Sequence, residues 1–140
     1  MTALIFYLLS FTWGLPMTLA GCFAALFMLI AGKKAERVGY CCCFRVGRGW
    51  GGLSLGIFIF ASEDLNKRIL WHEHGHGLQN CVFGPFTVFF VSIPSAVRYW
   101  YRRLKKDKSK LKPYDDIWFE GQATRVGQRQ RVLLGLKKKS

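Results

Sequence analysis

The sequence predicts a mainly α-helical, membrane-anchored protein that carries a zinc site on one of its helices. Three observations lead to this prediction: an uncharged N-terminal run, a second apolar run around position 90, and an HExxH string between them. Of the 140 residues, 51% are hydrophobic, and the formal net charge is +13. The basic residues flank the apolar runs, which favours an anionic membrane surface as partner. They form no nucleic-acid-binding motif, so we expect no nucleic acid partner.

The first predicted element is a transmembrane helix. Residues 3–31 contain no charged residue, and most are Leu, Ile, Phe, Ala or Met. As one helix the run would be roughly 40 Å long at about 1.5 Å per residue, more than a hydrocarbon core of about 30 Å requires. We therefore predict a transmembrane anchor over residues 1–34, tilted or kinked at Pro16. Lys33 and Lys34 follow the run, so the positive-inside rule places this end in the cytoplasm.

The segment 39–61 predicts a small β-hairpin. The strand formers GYCCCFRV precede the glycine-rich turn GRGWGG, and LSLGIFIFAS resumes with partial alternation. An exposed strand just upstream of a zinc-binding helix can hold an extended peptide by backbone hydrogen bonds. A strand that merely covers the helix is equally consistent with this pattern. The sequence leaves both interpretations open.

The five cysteines suit a reducing compartment, because they form no evenly spaced disulfide framework. Cys41, Cys42 and Cys43 are consecutive, and no second cysteine pair lies at a zinc-ribbon spacing, which favours small apolar strand residues over metal ligands. Cys22 ends a lipoprotein-like LAGC box. The sequence beyond it stays apolar and no charged segment precedes it, which favours an anchor over lipidation.

All three histidines lie within the string HEHGH at residues 72–76, which contains HExxH. Residues four apart share one face of a helix, so His72 and His76 can offer two imidazoles to one zinc ion. Glu73 is then placed to act as general base toward a zinc-activated water. His74 points away from this face, and Gly75 leaves room for another element to approach closely.

We predict that the helix bearing HEHGH begins at Ser62-Glu63-Asp64, with Ser62 as its cap, and ends before Gly84-Pro85. A catalytic zinc needs a third protein ligand, and no histidine remains. Glu120 is the favoured candidate because IWFEGQATRVG places it in an apolar, helix-compatible setting. Asp116, one turn earlier, or Thr124, one turn later, can support a ligand by a hydrogen bond.

The second apolar run, residues 81–101, bears on topology. If it crossed a bilayer, His76 and Glu120 would begin on opposite sides, and the segment RRLKKDKSKLKPYDD is too polar to recross. We therefore predict a re-entrant or interfacial segment within a zinc-site domain of residues 35–127. Arg98 begins an aromatic and basic cluster that is typical of a membrane interface, or it contacts substrate near the zinc. Residues 128–140 predict a basic, membrane-contacting tail.

Several blocks resemble those of a family of small, functionally uncharacterised bacterial membrane proteins with an HExxH motif: SFTWGLPM, VGRGWGG, HEHGHGLQN, IPSAVRYWYR and YDDIWFEGQAT. The resemblance extends from Ser10 to about Gly127. HExxH followed by a distant Glu is also similar to the gluzincin metallopeptidases, and this resemblance implies peptidase activity. Gluzincins often have an Asp at the position that Thr124 holds here.

These observations predict a zinc metallopeptidase at the cytoplasmic face of a bacterial cell membrane. It would hydrolyse a membrane-proximal peptide with Glu73 as general base and His72, His76 and Glu120 as zinc ligands. Membrane lipids and a peptide or protein substrate are the expected partners. The alternative is a non-enzymatic membrane protein with a structural or vestigial metal site, for which Cys81 is the nearest further ligand. The oligomeric state is left open.

Overall fold

In the computed structural model, which describes residues 1–104 and 118–139, the chain is mainly helical with one small mixed sheet. This confirms the predicted helical class. The helices are α1 (Ala3–Phe11), α2 (Leu15–Ile30), α3 (Lys67–Phe83), α4 (Ile93–Leu104) and α5 (Trp118–Lys139). A 3₁₀ turn (Gly84–Phe86) and a π-helical turn (Val88–Ser92) connect α3 to α4. The strands are β1 (Ala35–Val38), β2 (Cys41–Arg45), β3 (Gly52–Leu55) and β4 (Phe58–Ala61).

The N-terminal apolar run forms two helices, and the prediction of one helix over residues 3–31 is wrong. α1 and α2 are bent by 92° relative to each other. Pro16 lies in the first turn of α2, where a missing N–H costs no helical hydrogen bond. The turn between the helices is held by α3: Trp13 Nε1 donates to the Val82 carbonyl (3.3 Å), and Asn80 Nδ2 donates to the Gly14 carbonyl (3.2 Å). Packing against α3 therefore fixes the break.

Among the described residues, no single helix combines the length and apolarity needed to cross a membrane. Two bent pairs reach that length and composition only together. The first is α1 with α2, and the second joins Lys67–Phe86 to Val88–Leu104 across a bend of 120°. The anchor over residues 1–34 stays a prediction.

The predicted hairpin is a four-stranded sheet with the order β1-β2-β4-β3. The two long strand segments do not pair as one hairpin: β2 pairs with β4 in parallel, while β1–β2 and β3–β4 are the antiparallel pairs. The tight turns fall at Gly39 and Gly56, which have φ of +61° and +62°, a conformation that glycine adopts without strain. The glycine-rich segment around residue 49 joins β2 to β3. Because the sheet order ends with β3, β3 is an edge strand.

The helix with HEHGH begins later than predicted. α3 starts at Lys67, and Asn66 is its cap because its side chain accepts from Ile69 N at 3.1 Å. Ser62 and Asp64 instead hydrogen-bond to each other in the preceding turn. The predicted end is confirmed, since α3 stops at Phe83 before Gly84-Pro85.

The main hydrophobic core lies between the sheet, α1 and α3. Buried side chains from all three pack together, and Phe6 and Ile59 are the largest of those that are fully inaccessible to solvent. Cys41, Cys43 and Cys81 are also buried in this core as free cysteines. Burial first of all raises the pKa values of Cys41 and Cys43, the latter to about 12. Protonated, buried thiols fit the predicted role as small apolar strand residues.

α5 packs directly on α3 through two glycines. A Cβ on Gly75 would lie 2.0 Å from the Ala123 carbonyl oxygen, and a Cβ on Gly127 would lie 1.8 Å from the Trp71 carbonyl oxygen. The predicted close approach at Gly75 is therefore confirmed. The predicted boundary between residues 127 and 128 falls inside α5.

We expect Gly127→Ala to destabilise the protein strongly, because the added methyl group meets backbone that cannot yield without separating α3 from α5. Overpacking of this kind costs about 1–3 kcal/mol or more. Gly135→Ala on the same helix is the matched control, since nothing lies within 4 Å of its Cβ position. There the better helix propensity of Ala should add about 0.5–1 kcal/mol. Denaturant unfolding measures both, and equal stabilities would contradict the α3–α5 contact.

Candidate metal centre

Three ligand atoms from two helices converge at one point. Nε2 of His72 and Nε2 of His76 lie 3.1 and 3.3 Å from Oε2 of Glu120, and 3.2 Å from each other. Zinc bonds of 2.0–2.1 Å in tetrahedral geometry place ligand atoms about 3.3–3.4 Å apart. The triangle therefore matches one face of a tetrahedral site. The three predicted ligands form a group that could hold a metal ion.

The Glu120 carboxylate also has the hydrogen bonding expected of a metal ligand. Its side chain is fully buried, and Ser95 Oγ donates to Oε1. Oε2 has no hydrogen bond of normal geometry among the described residues despite its short distances to both imidazoles. A buried carboxylate oxygen without such a bond is costly. A cation at the shared point would satisfy it.

Hydrogen bonding to the other ring nitrogen fixes the tautomer of His76. Its Nδ1 lies 2.8 Å from Oε1 of Gln79, whose amide nitrogen donates to the Phe119 carbonyl (2.7 Å) and to Gln122 Oε1 (2.9 Å). Because Gln79 Oε1 can only accept, His76 Nδ1 is the donor and Nε2 keeps the lone pair that a metal needs. Gln79 was not among the residues predicted from the sequence, although its position three residues after His76 indicates that the two side chains can meet on one helix face.

Thr124 supports His72 in the corresponding way, with Oγ1 at 2.8 Å from Nδ1. We expect Thr124→Val to weaken zinc binding by about 10–100-fold, which is typical when a hydrogen bond to a metal ligand is removed. Thr124→Ser keeps the hydroxyl and is the control, expected to bind zinc like the wild type. Competition with a chromogenic chelator measures both affinities. Wild-type affinity in Thr124→Val would contradict the role of the hydroxyl.

The electrostatics of the site favour a cation. Burial alone would raise the pKa of Glu120, but the contacts with His72 and His76 outweigh it and hold that pKa well below its usual range. Burial would lower the pKa of His76, yet Glu120 and Glu73 together raise it. The carboxylate therefore stays ionised, and the negative charge attracts protons or a metal ion to the imidazoles.

Glu73 is buried against the edge strand β3. It is 7% exposed, and a Cβ on Gly52 would lie only 2.6 Å from its Oε1, so strand backbone approaches the carboxylate directly. Burial raises the pKa of Glu73; the charge of Glu120 adds to this, while His76 and His72 oppose it. A carboxylate with a raised pKa is a stronger base.

A cavity of about 740 Å³ adjoins the metal group. His72, Glu73 and His76 line it from α3, Gly52, Leu53 and Ser54 line it from β3, and Tyr99 lines it from α4. This volume lies within the range of 300–1,000 Å³ that is usual for ligand sites. The cavity gives a ligand access to the two imidazoles and to Glu73 at once.

The remaining candidates lie elsewhere. His74 is fully buried and accepts from the Tyr40 backbone N–H at 3.1 Å, which confirms its exclusion; burial lowers its pKa to about 4. Cys81 lies beside Ser10 Oγ at 3.5 Å, on the core side of α3. Arg98 lies on α4, three residues after Ser95, whose hydroxyl donates to Glu120. Asp116 falls outside the described residues.

Fold and site together define a mainly helical protein with a group able to hold a metal ion. Comparison with protein-family models, curated proteins and solved structures gives no match. The chemistry of the site is therefore the evidence on which a function rests.

Proposed function

We propose that this protein is a zinc-dependent peptidase acting at the cytoplasmic face of a membrane. The observation that carries this proposal is the convergence of ligand atoms from His72, His76 and Glu120 within 3.3 Å of one another. Glu73, the buried residue next to His72 in the sequence, lines the same cavity as both histidines. Two imidazoles and a carboxylate suit zinc, and three protein ligands are typical of catalytic sites. Structural zinc sites usually take four, and Cys81 is directed elsewhere.

Bound zinc supplies Lewis acidity and lowers the pKa of water. The protein's part is to place a base and to move a proton. Glu73 is next to His72 on α3 and lines the same cavity, so its carboxylate can take a proton from the attacking water. It can then return that proton to the leaving amine. Thr124 and Gln79 keep the imidazoles oriented while this occurs.

A peptide substrate is supported by the edge strand β3. The sheet order leaves the side of β3 opposite to β4 without a strand partner among the described residues, and the strand lines the cavity beside Glu73. An extended peptide can pair with such an edge by backbone hydrogen bonds. These two features support a peptide held along β3, which is one of the two roles that the sequence left open.

A membrane location is supported by apolar faces that the described fold leaves uncovered. Lys33 and Lys34 follow α2, and Arg102 and Arg103 end α4, so both apolar segments terminate in charges that suit anionic headgroups. The exposed apolar side chains of these helices recur at helical spacing and therefore form continuous stripes. The stripes comprise Leu4, Leu8 and Phe11 on α1; Leu15, Leu19, Phe23, Phe27 and Ile30 on α2; and Phe86, Phe90, Ile93, Val97, Trp100 and Leu104 towards and along α4.

The test is to purify the full chain in detergent, measure its metal content, and incubate the zinc-loaded protein with a peptide library read out by mass spectrometry. We expect one zinc per chain, cleavage at defined sites, loss of cleavage with a chelator, and recovery when zinc is added. Protein without zinc would contradict the proposal at the metal centre. Stoichiometric zinc without cleavage would favour the alternative of a structural metal in a non-enzymatic membrane protein.

A further inference from the structure

The cavity beside the metal group contains hydrogen-bonding atoms that the described part of the chain does not satisfy. Ser54 Oγ, Asn80 Oδ1 and Thr87 Oγ1 are buried and have no hydrogen-bond partner among the described residues. All three residues line this one cavity. Leaving a buried polar atom unsatisfied costs about 1–3 kcal/mol. Their presence in one cavity therefore indicates a place for a polar ligand group.

The orientation of Asn80 is fixed by its other atom. Nδ2 donates to the Gly14 carbonyl at 3.2 Å and packs so closely that a Cβ on Gly14 would lie 2.3 Å from it. Oδ1, which can only accept, is the amide atom that is left for a ligand. The side chain is 1% exposed, so bulk water does not satisfy it. Thr87, which is 3% exposed, adds a hydroxyl able to donate as well as accept.

This polar position lies close to the metal group and between apolar walls. Asn80 follows His76 by four residues, so the two side chains share one face of α3, about 6 Å apart along its axis. Met17 and Val91, 7% and 3% exposed, also line the cavity. A ligand that reaches from the metal to Asn80 would pass this apolar surface. At its end it could meet the acceptor Asn80 Oδ1 and the hydroxyl of Thr87, which lines the same cavity.

We propose that the buried end of the cavity binds a primary carboxamide. Such a group donates through its NH₂ and accepts through its carbonyl, which complements Asn80 Oδ1 and the Thr87 hydroxyl respectively. A charged group would lose its hydration beside Asn80 and Thr87, which carry no charge and are only 1% and 3% exposed. The inference rests on the proposed function. The ligand would be a peptide substrate that has Asn or Gln beside the scissile bond, within an apolar segment.

The experiment compares two probes, the hydroxamates of N-acyl-asparagine and N-acyl-leucine. Their side chains have nearly the same shape, and the hydroxamate engages the zinc. By calorimetry we expect wild-type, zinc-loaded protein to bind the asparagine probe about tenfold more tightly, which corresponds to one or two net hydrogen bonds. Thr87→Val keeps the side-chain shape and should reduce this preference to about threefold or less. The control Thr12→Val removes an exposed hydroxyl that donates to the Leu8 carbonyl and does not line the cavity, and it should leave the preference unchanged.

Two outcomes would overturn the carboxamide site itself. One is equal affinity of the wild type for both probes at full zinc content. The other is a lowered unfolding temperature of ligand-free Thr87→Val, since a hydroxyl without a partner can be replaced by a methyl group without loss. If the preparation holds no zinc, the proposed function fails separately. Saturation-transfer NMR with the metal-free protein and the same two probes then decides the carboxamide site by itself.

Discussion

Glu120→Gln is expected to abolish stoichiometric zinc binding, with affinity lowered by more than about 100-fold. The substitution keeps the volume of the side chain on α5 and removes the negative charge that meets His72 and His76 at 3.1 and 3.3 Å. Loss of a direct ligand exceeds the 10–100-fold effect of removing a hydrogen bond to a ligand. Metal analysis after dialysis, together with chelator competition, measures the change.

The control for this variant is Glu63→Gln. Glu63 is a surface carboxylate that pairs with Lys33 and Arg48 at 3.5 and 3.4 Å, and exposed pairs of this kind contribute little. It carries the same change of charge, so it should bind zinc like the wild type. Retention of one tightly bound zinc in Glu120→Gln would remove Glu120 from the ligand set. The convergence of the three side chains would then be a hydrogen-bonded core feature of the α3–α5 contact.

Glu73→Gln is expected to lower turnover by about 10²–10⁴-fold while leaving zinc content at one per chain. A glutamine amide fills the same space against Gly52 but cannot accept a proton from water, and general bases contribute rate factors of this size. The structure gives Glu73 no place among the three converging ligand atoms, so the metal should stay. Measurement of kcat on a peptide found by library screening, with zinc content on the same sample, separates the two effects.

The matched control is Glu36→Gln, an exposed β1 carboxylate that pairs with Arg45 at 2.6 Å, far along the sheet from β3. Turnover there should stay within twofold of the wild type. Full activity in Glu73→Gln would exclude Glu73 as the base. Together the Glu120 and Glu73 variants distinguish a zinc peptidase from a protein with a structural metal. A structural metal predicts loss of zinc in Glu120→Gln and no change in zinc content or activity in Glu73→Gln.

The metal group also bears on the path of the chain after α3. The chain bends by 120° between Lys67–Phe86 and Val88–Leu104, and α5 returns to pack on α3. His76 and Glu120 therefore meet in one site, while the non-spanning course of residues 81–101 stays a prediction. The physical reason is the glycine contact: Gly75 and Gly127 let the two helix backbones approach closely enough for a short carboxylate to reach both imidazoles.

The features that could be predicted from the sequence are those that depend on local geometry. The spacing of His72 and His76 places both rings on one face because a helix repeats every 3.6 residues, and the same rule excludes His74. Thr124, one turn after Glu120, follows from the same periodicity and reaches His72. The end of α3 before Gly84-Pro85 follows from the backbone preferences of glycine and proline.

The features that depend on contacts between distant parts of the chain could not be predicted from the sequence and are known from the fold. Ser95, 25 residues from Glu120, reaches its carboxylate because the chain bends after α3, and no sequence spacing encodes that contact. The parallel pairing of β2 with β4 joins strands separated by β3, so local turn signals pointed to the wrong hairpin. The break between α1 and α2 is fixed by hydrogen bonds to α3, although composition alone permits one long helix. In each case the free energy comes from groups far apart in sequence, whose meeting depends on the whole fold.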